Sequence, residues 1–99
     1  LESSLKKEKI LKRKIDINFD NDSSKTYSVF EVVTNDRIGL LYDISKILIK
    51  NKFIISMAKI STNGDFVEDS FHLRNEFGFK IEQKDLIEKL KREIINLLT

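Results

Sequence analysis

Thr34-Asn35-Asp36-Arg37-Ile38-Gly39-Leu40-Leu41-Tyr42-Asp43-Ile44 is the stretch whose reading decides the fold of this chain. A β-branched run over 27–34 leads into it, and an apolar helical pattern leads out. The turn between them places an acid, a base and a glycine within residues 36–39. A strand that passes into a helix in this way leaves the first N–H groups of the helix without intrahelical acceptors, at the positive end of the helix dipole. A small polar ligand bearing a carboxylate suits such a loop.

Working outward, Ile15, Ile17 and Phe19 alternate with Asp16 and Asn18, which predicts a half-buried strand over 14–20. Asp20-Asn21-Asp22-Ser23-Ser24 has turn chemistry. The strand over 27–34 puts Phe30 and Val32 on one face and Val29, Glu31 and Val33 on the other. After the loop, Leu40, Leu41, Ile44, Ile47 and Leu48 form the apolar stripe of a helix over about 39–51. Asp36 stands where its N-cap acceptor is wanted and Asn51 where it stops. Gly39 falls in the exposed first turn, where the backbone passes close to a ligand, so its replacement is expected to harm binding more than folding.

Strands are predicted over 53–62 and 66–74, joined at Asn63-Gly64, a strong hairpin signal. Phe77-Gly78-Phe79 reads as a loop with aromatic anchors. A last helix over about 83–98 carries Leu86, Ile87, Leu90, Ile94 and Leu97 at helical spacing, with Asp85–Lys89 and Glu88–Arg92 pairs on its wet face. The order β-β-α-β-β-α gives an α+β fold in which two striped helices cover one sheet face. It is the ferredoxin-like plan β-α-β-β-α-β shifted circularly, with strand 14–20 filling the edge left by the missing last strand.

Ninety-nine residues, 40% apolar and 34% charged, make one domain with a thin core, which a partner subunit would help to stabilise. Without cysteine there is neither a disulfide frame nor a thiolate metal site. No apolar run has the roughly 18 residues of a membrane span and no signal peptide is visible, so the chain reads as cytoplasmic, with no membrane partner. It begins with Leu1 and reads as a piece of a longer protein. Residues 1–13 form a basic arm ahead of a domain over 14–99; six basic residues against two acidic ones in the first fourteen leave the rest net acidic. The arm has no interleaved aromatics, which speaks against a nucleic-acid partner.

Asp36-Arg37-Ile38-Gly39-Leu40-Leu41 resembles the Asp-Arg-Pro-Gly-Leu-Leu loop of ACT domains, small regulatory modules that bind amino acids. Further segments follow in the same order: Phe19-Asp20-Asn21-Asp22, Phe30-Glu31-Val32, Leu41-Tyr42-Asp43-Ile44, Ile60-Ser61-Thr62-Asn63-Gly64-Asp65, Val67-Glu68-Asp69-Ser70-Phe71 and Asn75-Glu76-Phe77-Gly78-Phe79-Lys80-Ile81. Together they are similar to the C-terminal ACT region of the bifunctional uridylyltransferase/uridylyl-removing enzymes that act on the PII nitrogen-signalling protein. The resemblance covers about residues 15–99. It departs at Ile38, where the family usually has proline, whose fixed φ suits the first helical turn.

The resemblance implies a non-catalytic sensor of an amino acid, glutamine in that family, with catalysis in nucleotidyltransferase and hydrolase domains elsewhere in a parent enzyme. No cofactor is implied for this fragment, and a divalent metal such as Mg for the parent. The ligand's charged groups would lie on Asn35, Asp36, Arg37, Ile38, Gly39, Leu40 and Leu41, with Ile55 and Ser56 of a partner copy closing the side. A homo-oligomer or sister ACT domain would supply that copy, and PII would be met through the parent. The alternative is an ACT-type interaction or dimerisation module that binds no small ligand.

Single features also have plainer readings. His72 lies on the outward parity of its strand and reads as a solvated residue. Asp69 shares the inward parity of Val67, Phe71 and Leu73, so a buried carboxylate is expected, tied to helix N–H groups or a lysine, or else coupling the sheet to the ligand loop. Acylphosphatase-like catalysis would need a phosphate cradle; Asn35 and Arg37 are the nearest candidates and the loop has one glycine.

Overall fold

A computed structural model describes residues 15–99; the basic arm, 1–13, and Lys14 at the head of the expected first strand lie outside the described residues. The elements run β1 (Asp16–Asp20), β2 (Ser28–Asn35), α1 (Leu40–Lys50), β3 (Ile54–Asn63), β4 (Phe66–Arg74) and α2 (Lys84–Leu98). The described strands form one antiparallel sheet in the order β1-β2-β4-β3. β1, the strand that the alternation of Ile17 and Phe19 predicts, holds the edge beside β2, with Phe19 opposite Phe30. This is the α+β, ferredoxin-like arrangement expected from the element order.

The period-two pattern decides which side is dry. Phe30, Val32, Val67, Phe71 and Leu73 share one face and are buried with Leu40, Ile44, Leu48, Leu90 and Ile94 of the two helices. Burying side chains of this size contributes roughly 1.5–3 kcal/mol each, the main favourable term in a domain this small. Ile17, Phe19, Ile47, Ile87 and Leu97 pack around that core as expected. Leu41 does not: it is 42% exposed, because its position turns it off the core stripe toward the mouth of a pocket described below. Phe77 and Phe79 do not anchor their loop, being 76% and 70% exposed; Asn75 shapes it instead, its Oδ1 accepting from the amides of both.

The β3–β4 hairpin turns at Gly64-Asp65, one residue beyond the predicted Asn63-Gly64 pair, with Asn63 opposite Phe66. Gly64 has φ +63°, the conformation such a two-residue turn asks of its first central residue. The segment before α2 is held by a small polar cluster: Ser28 Oγ donates to Asn21 Oδ1 at 2.5 Å and accepts from the Ile81 amide at 2.9 Å, while Asn21 Nδ2 donates to the Ile81 carbonyl at 2.8 Å. The half-buried His72 faces outward as expected, its ring 5.4 Å from that of Tyr27. Among the described residues no helix is long and apolar enough to cross a membrane.

Candidate functional site

The loop between β2 and α1 ends at Gly39, which has φ +78° and ψ 2° and stands as the N-cap of α1 with no side-chain cap. Asp36 is therefore not the N-cap. The loop runs three residues further than a simple strand-to-cap turn, and its own amide is tied across to the hairpin, donating to the Asp65 carbonyl at 2.8 Å. Gly39 likewise lies before the helix rather than in its first turn. A Cβ there would have Arg37 Nη1 as its nearest neighbour, 4.0 Å away, so the requirement for glycine is set by the left-handed backbone and not by lack of room.

The loop's own hydrogen bonds leave the helix start open. Leu40 N donates to the Arg37 carbonyl at 3.3 Å and Asp43 N to the Gly39 carbonyl at 2.9 Å. Among the described residues no backbone carbonyl accepts from the amides of Leu41 or Tyr42. Arg37 does not reach across this opening. Its Nη2 pairs with Asp43 Oδ2 at 2.9 Å and its Nη1 donates to the Ile38 carbonyl at 3.1 Å, which folds the guanidinium back against α1.

Beneath this helix start lies a cavity of about 180 Å³. Asp36, Arg37, Gly39, Leu40, Leu41 and Tyr42 form one wall; Val67, Asp69 and Ile60 form the sheet side. Of the loop residues picked out in the sequence, Asn35 is the last residue of β2 and Ile38 is 99% exposed to solvent; neither lines the cavity. The branched side chain of Ile38 therefore does not intrude on the pocket. Ile55 and Ser56 sit at the other end of β3. Ile55 packs against the core opposite Leu73, and Ser56 falls at a bulge where its Oγ accepts from Arg74 Nε at 3.2 Å. Five residues of strand, roughly 16 Å, separate Ile55 from the cavity-lining Ile60 of the same chain.

Asp69 is the buried carboxylate that its strand parity predicts. It is 3% exposed and stands between Val32 and Ile60 in the sheet, under the start of α1. Its Oδ1 has no hydrogen-bond partner among the described residues, so the expected tie to a helix N–H or a lysine is not made by that oxygen. Burial, followed by the negative charge of Asp36, raises its pKa above the usual carboxylate value. Tyr42, Val67 and Ile60 were not singled out as wall residues. The helical and strand registers that bring them there could have been counted from the same patterns. Among the described residues no group of three or more His, Cys, Asp or Glu side chains is placed to hold a metal ion.

The family model for the ACR family N-terminal ACT domain matches residues 23–98. Over 78 residues, 79% of this chain, it is 44% identical to a bifunctional uridylyltransferase/uridylyl-removing enzyme of Cereibacter sphaeroides, of which it covers 8%. It is 40% identical over 93 residues, 90% of this chain and 10% of the relative, to the enzyme of the same description in Ruegeria pomeroyi. Over 79 residues it is 37% identical to the one in Azospirillum brasilense, covering 80% of this chain and 8% of that one. The chain thus spans about a tenth of the length of these relatives. No solved structure matches it significantly. The family model over residues 23–98 and the identity to these relatives across most of the chain show the family, and the chain belongs to it: it is an ACT domain of the ACR type.

Proposed function

We propose that this ACT domain is a regulatory sensor that binds a small amino acid, glutamine by its resemblance to the uridylyltransferase/uridylyl-removing enzymes, and passes that signal to a parent enzyme in nitrogen signalling. The observation that carries this reading is the cavity under the uncapped start of α1. Free amides there meet a ligand carboxylate without needing a cationic side chain. Its 180 Å³ is below the roughly 300–1,000 Å³ of sites for drug-sized molecules, which fits a compact metabolite. The domain itself is the sensing part. Uridylyl transfer and removal, the divalent metal such as Mg that they need, and contact with PII belong to the rest of the parent protein, in the cytoplasm.

The wall toward the edge strand is thin, since Ile60 is 45% exposed. A second copy or a sister ACT domain closes that side, with Ile55 and Ser56 of its strand completing the pocket. A second reading has an observation of its own. β3 is an edge strand exposed from Ser56 to Asn63, which suits a module whose work is pairing alone. Calorimetric titration of the chain with the amino acids separates the two. Saturable heat with glutamine supports the sensor; silence to all of them at millimolar concentration, with a dimer by sedimentation, supports the pairing module.

A further inference from the structure

Resting on the amino-acid reading, we propose that the carboxylate of Asp69 is the specificity-determining acceptor of this pocket, taking the ammonium group of a ligand whose carboxylate lies on the start of α1. Three observations converge on it. Strand parity forces Asp69 inward among Val67, Phe71 and Leu73, yet it lines the cavity rather than filling the core. Its Oδ1 is buried without a partner among the described residues, an arrangement that costs stability unless a ligand supplies the missing donor. The one cationic side chain in the cavity lining, Arg37, is committed to Asp43.

The charges around Asp69 define the ligand class. From the β2–α1 loop comes Asp36, of like sign, and Arg37, turned away to Asp43 of α1. From α1 come Leu40, Leu41 and the uncharged Tyr42; from β3 comes the apolar Ile60. The pocket therefore has a positive pole, made of amides, and a negative pole, made of Asp69 reinforced by Asp36. A zwitterion complements both, whereas a simple carboxylic acid meets the amides and is repelled at the other pole. Discrimination by a buried group left unpaired in the wrong complex is strong, since the analogue lacking the donor restores nothing.

The test compares glutamine with its analogue lacking the α-amino group, 5-amino-5-oxopentanoate, by calorimetry on the full chain and on Asp69→Asn. The native chain is expected to bind glutamine at least tenfold more tightly than the analogue. Asp69→Asn is expected to lose at least tenfold in glutamine affinity and to bind the two within about threefold of each other. If Asp69→Asn keeps both the affinity and the discrimination, Asp69 is not the acceptor, although the sensor reading stands. If the native chain binds no amino acid, the sensor reading fails and this proposal with it. A measurement on the native chain covers the case of a variant that does not fold. The ¹³C resonance of the Asp69 carboxyl, followed against pH, should show its midpoint falling on saturation with glutamine, because a bound ammonium favours the charged form. A midpoint unmoved by saturating glutamine overturns the assignment.

Discussion

At its C-terminal end α1 closes its accounts with backbone and side chain together; at its N-terminal end it leaves them open. Asn51 caps the helix, and its amide and Nδ2 both donate to the Ile47 carbonyl. Lys52 N donates to the Ile49 carbonyl at 2.9 Å and Phe53 N to the Leu48 carbonyl at 3.1 Å, the paired bonds of a Schellman motif. Lys50 and Asn51 both reach Glu93 of α2, which locks the two helices together. At the other end stand an uncapped glycine, two amides without backbone acceptors and a buried carboxylate with an unpaired oxygen. One short helix shows both conditions, so the open end is not a general looseness of the fold. The closed end has one unmet atom of its own, Asn51 Oδ1, whereas the open end joins two amides without backbone acceptors to its unpaired carboxylate oxygen, beside the cavity that the proposed ligand would enter.

The largest effect is expected at the open end, from Gly39→Val. A β-branched residue at φ +78° is strained whatever space surrounds it, and the substitution should cost about 2–3 kcal/mol of folding stability. The expected mildness of the folding cost placed Gly39 in the first turn of the helix, and its position ahead of α1 at positive φ removes that ground. Chemical denaturation checks it, and a variant as stable as the native chain would mean that the loop has another conformation available. At the closed end, Asn51→Ala removes the side-chain bonds to Ile47 and Glu93 and should cost about 1–2 kcal/mol. The loss is moderated because Asn51 Oδ1 is itself buried without a partner among the described residues. Denaturation of this variant should show the loss with no change in ligand affinity.

Acid should move the two ends in opposite directions. Glu93 is held below the usual carboxylate value, chiefly by its hydrogen bond from Lys50 and then by Asn51. It therefore contributes stability above its unfolded pKa, and that stability is lost as pH falls through its lowered native value. Asp69 is raised, chiefly by burial and then by Asp36. Its native state holds a proton longer than the unfolded chain does, so the ligand-free domain loses stability as pH climbs from the ordinary carboxylate value through Asp69's own. Melting temperatures across that range should show Glu93→Gln flattening the acid limb and Asp69→Asn flattening the opposite one. Asp69→Asn should also be the more stable protein at neutral pH in the absence of ligand. A destabilised Asp69→Asn at neutral pH would show that the carboxylate serves the fold.

The closed part of the molecule was the more legible in the sequence, for a physical reason. Period-two and helical patterns report burial, so the sheet faces, the stripe from Leu40 to Leu48 and the inward parity of Asp69 could all be counted from residues. Loop lengths and side-chain commitments could not. Asp36 has the chemistry of an N-cap, but its amide bond to Asp65, a contact between residues far apart in the chain, draws the loop out and passes the cap to Gly39. Arg37 has the chemistry of a carboxylate clamp, and Asp43, six residues on, claims it. Phe77 and Phe79 have the chemistry of anchors, and the described residues offer them no hole to fill. Each failure lies where a polar or aromatic side chain had two plausible partners and tertiary geometry chose between them.

The smallest expected effect tests whether the closed end is itself optimal. Lys52 is the one non-glycine residue with positive φ among the described residues, at φ +64°, in the position of a Schellman motif where glycine is usual. A lysine Cβ in the left-handed region costs roughly 1–2 kcal/mol, which the backbone bonds of Lys52 and Phe53 hold in place. Glycine relieves that strain but also frees the unfolded chain, which recovers part of the gain as entropy. The balance predicts that Lys52→Gly stabilises the domain by about 1 kcal/mol, a rise of roughly 4–8 °C in Tm for a domain of this size. Lys52 is exposed and far from the cavity, so ligand affinity should be unchanged. A thermal melt decides it. A lower Tm would mean that the ammonium of Lys52 does more at the negative end of the helix dipole than its backbone strain costs. The contrast between the two ends of α1 would then rest on charge as well as on hydrogen bonds.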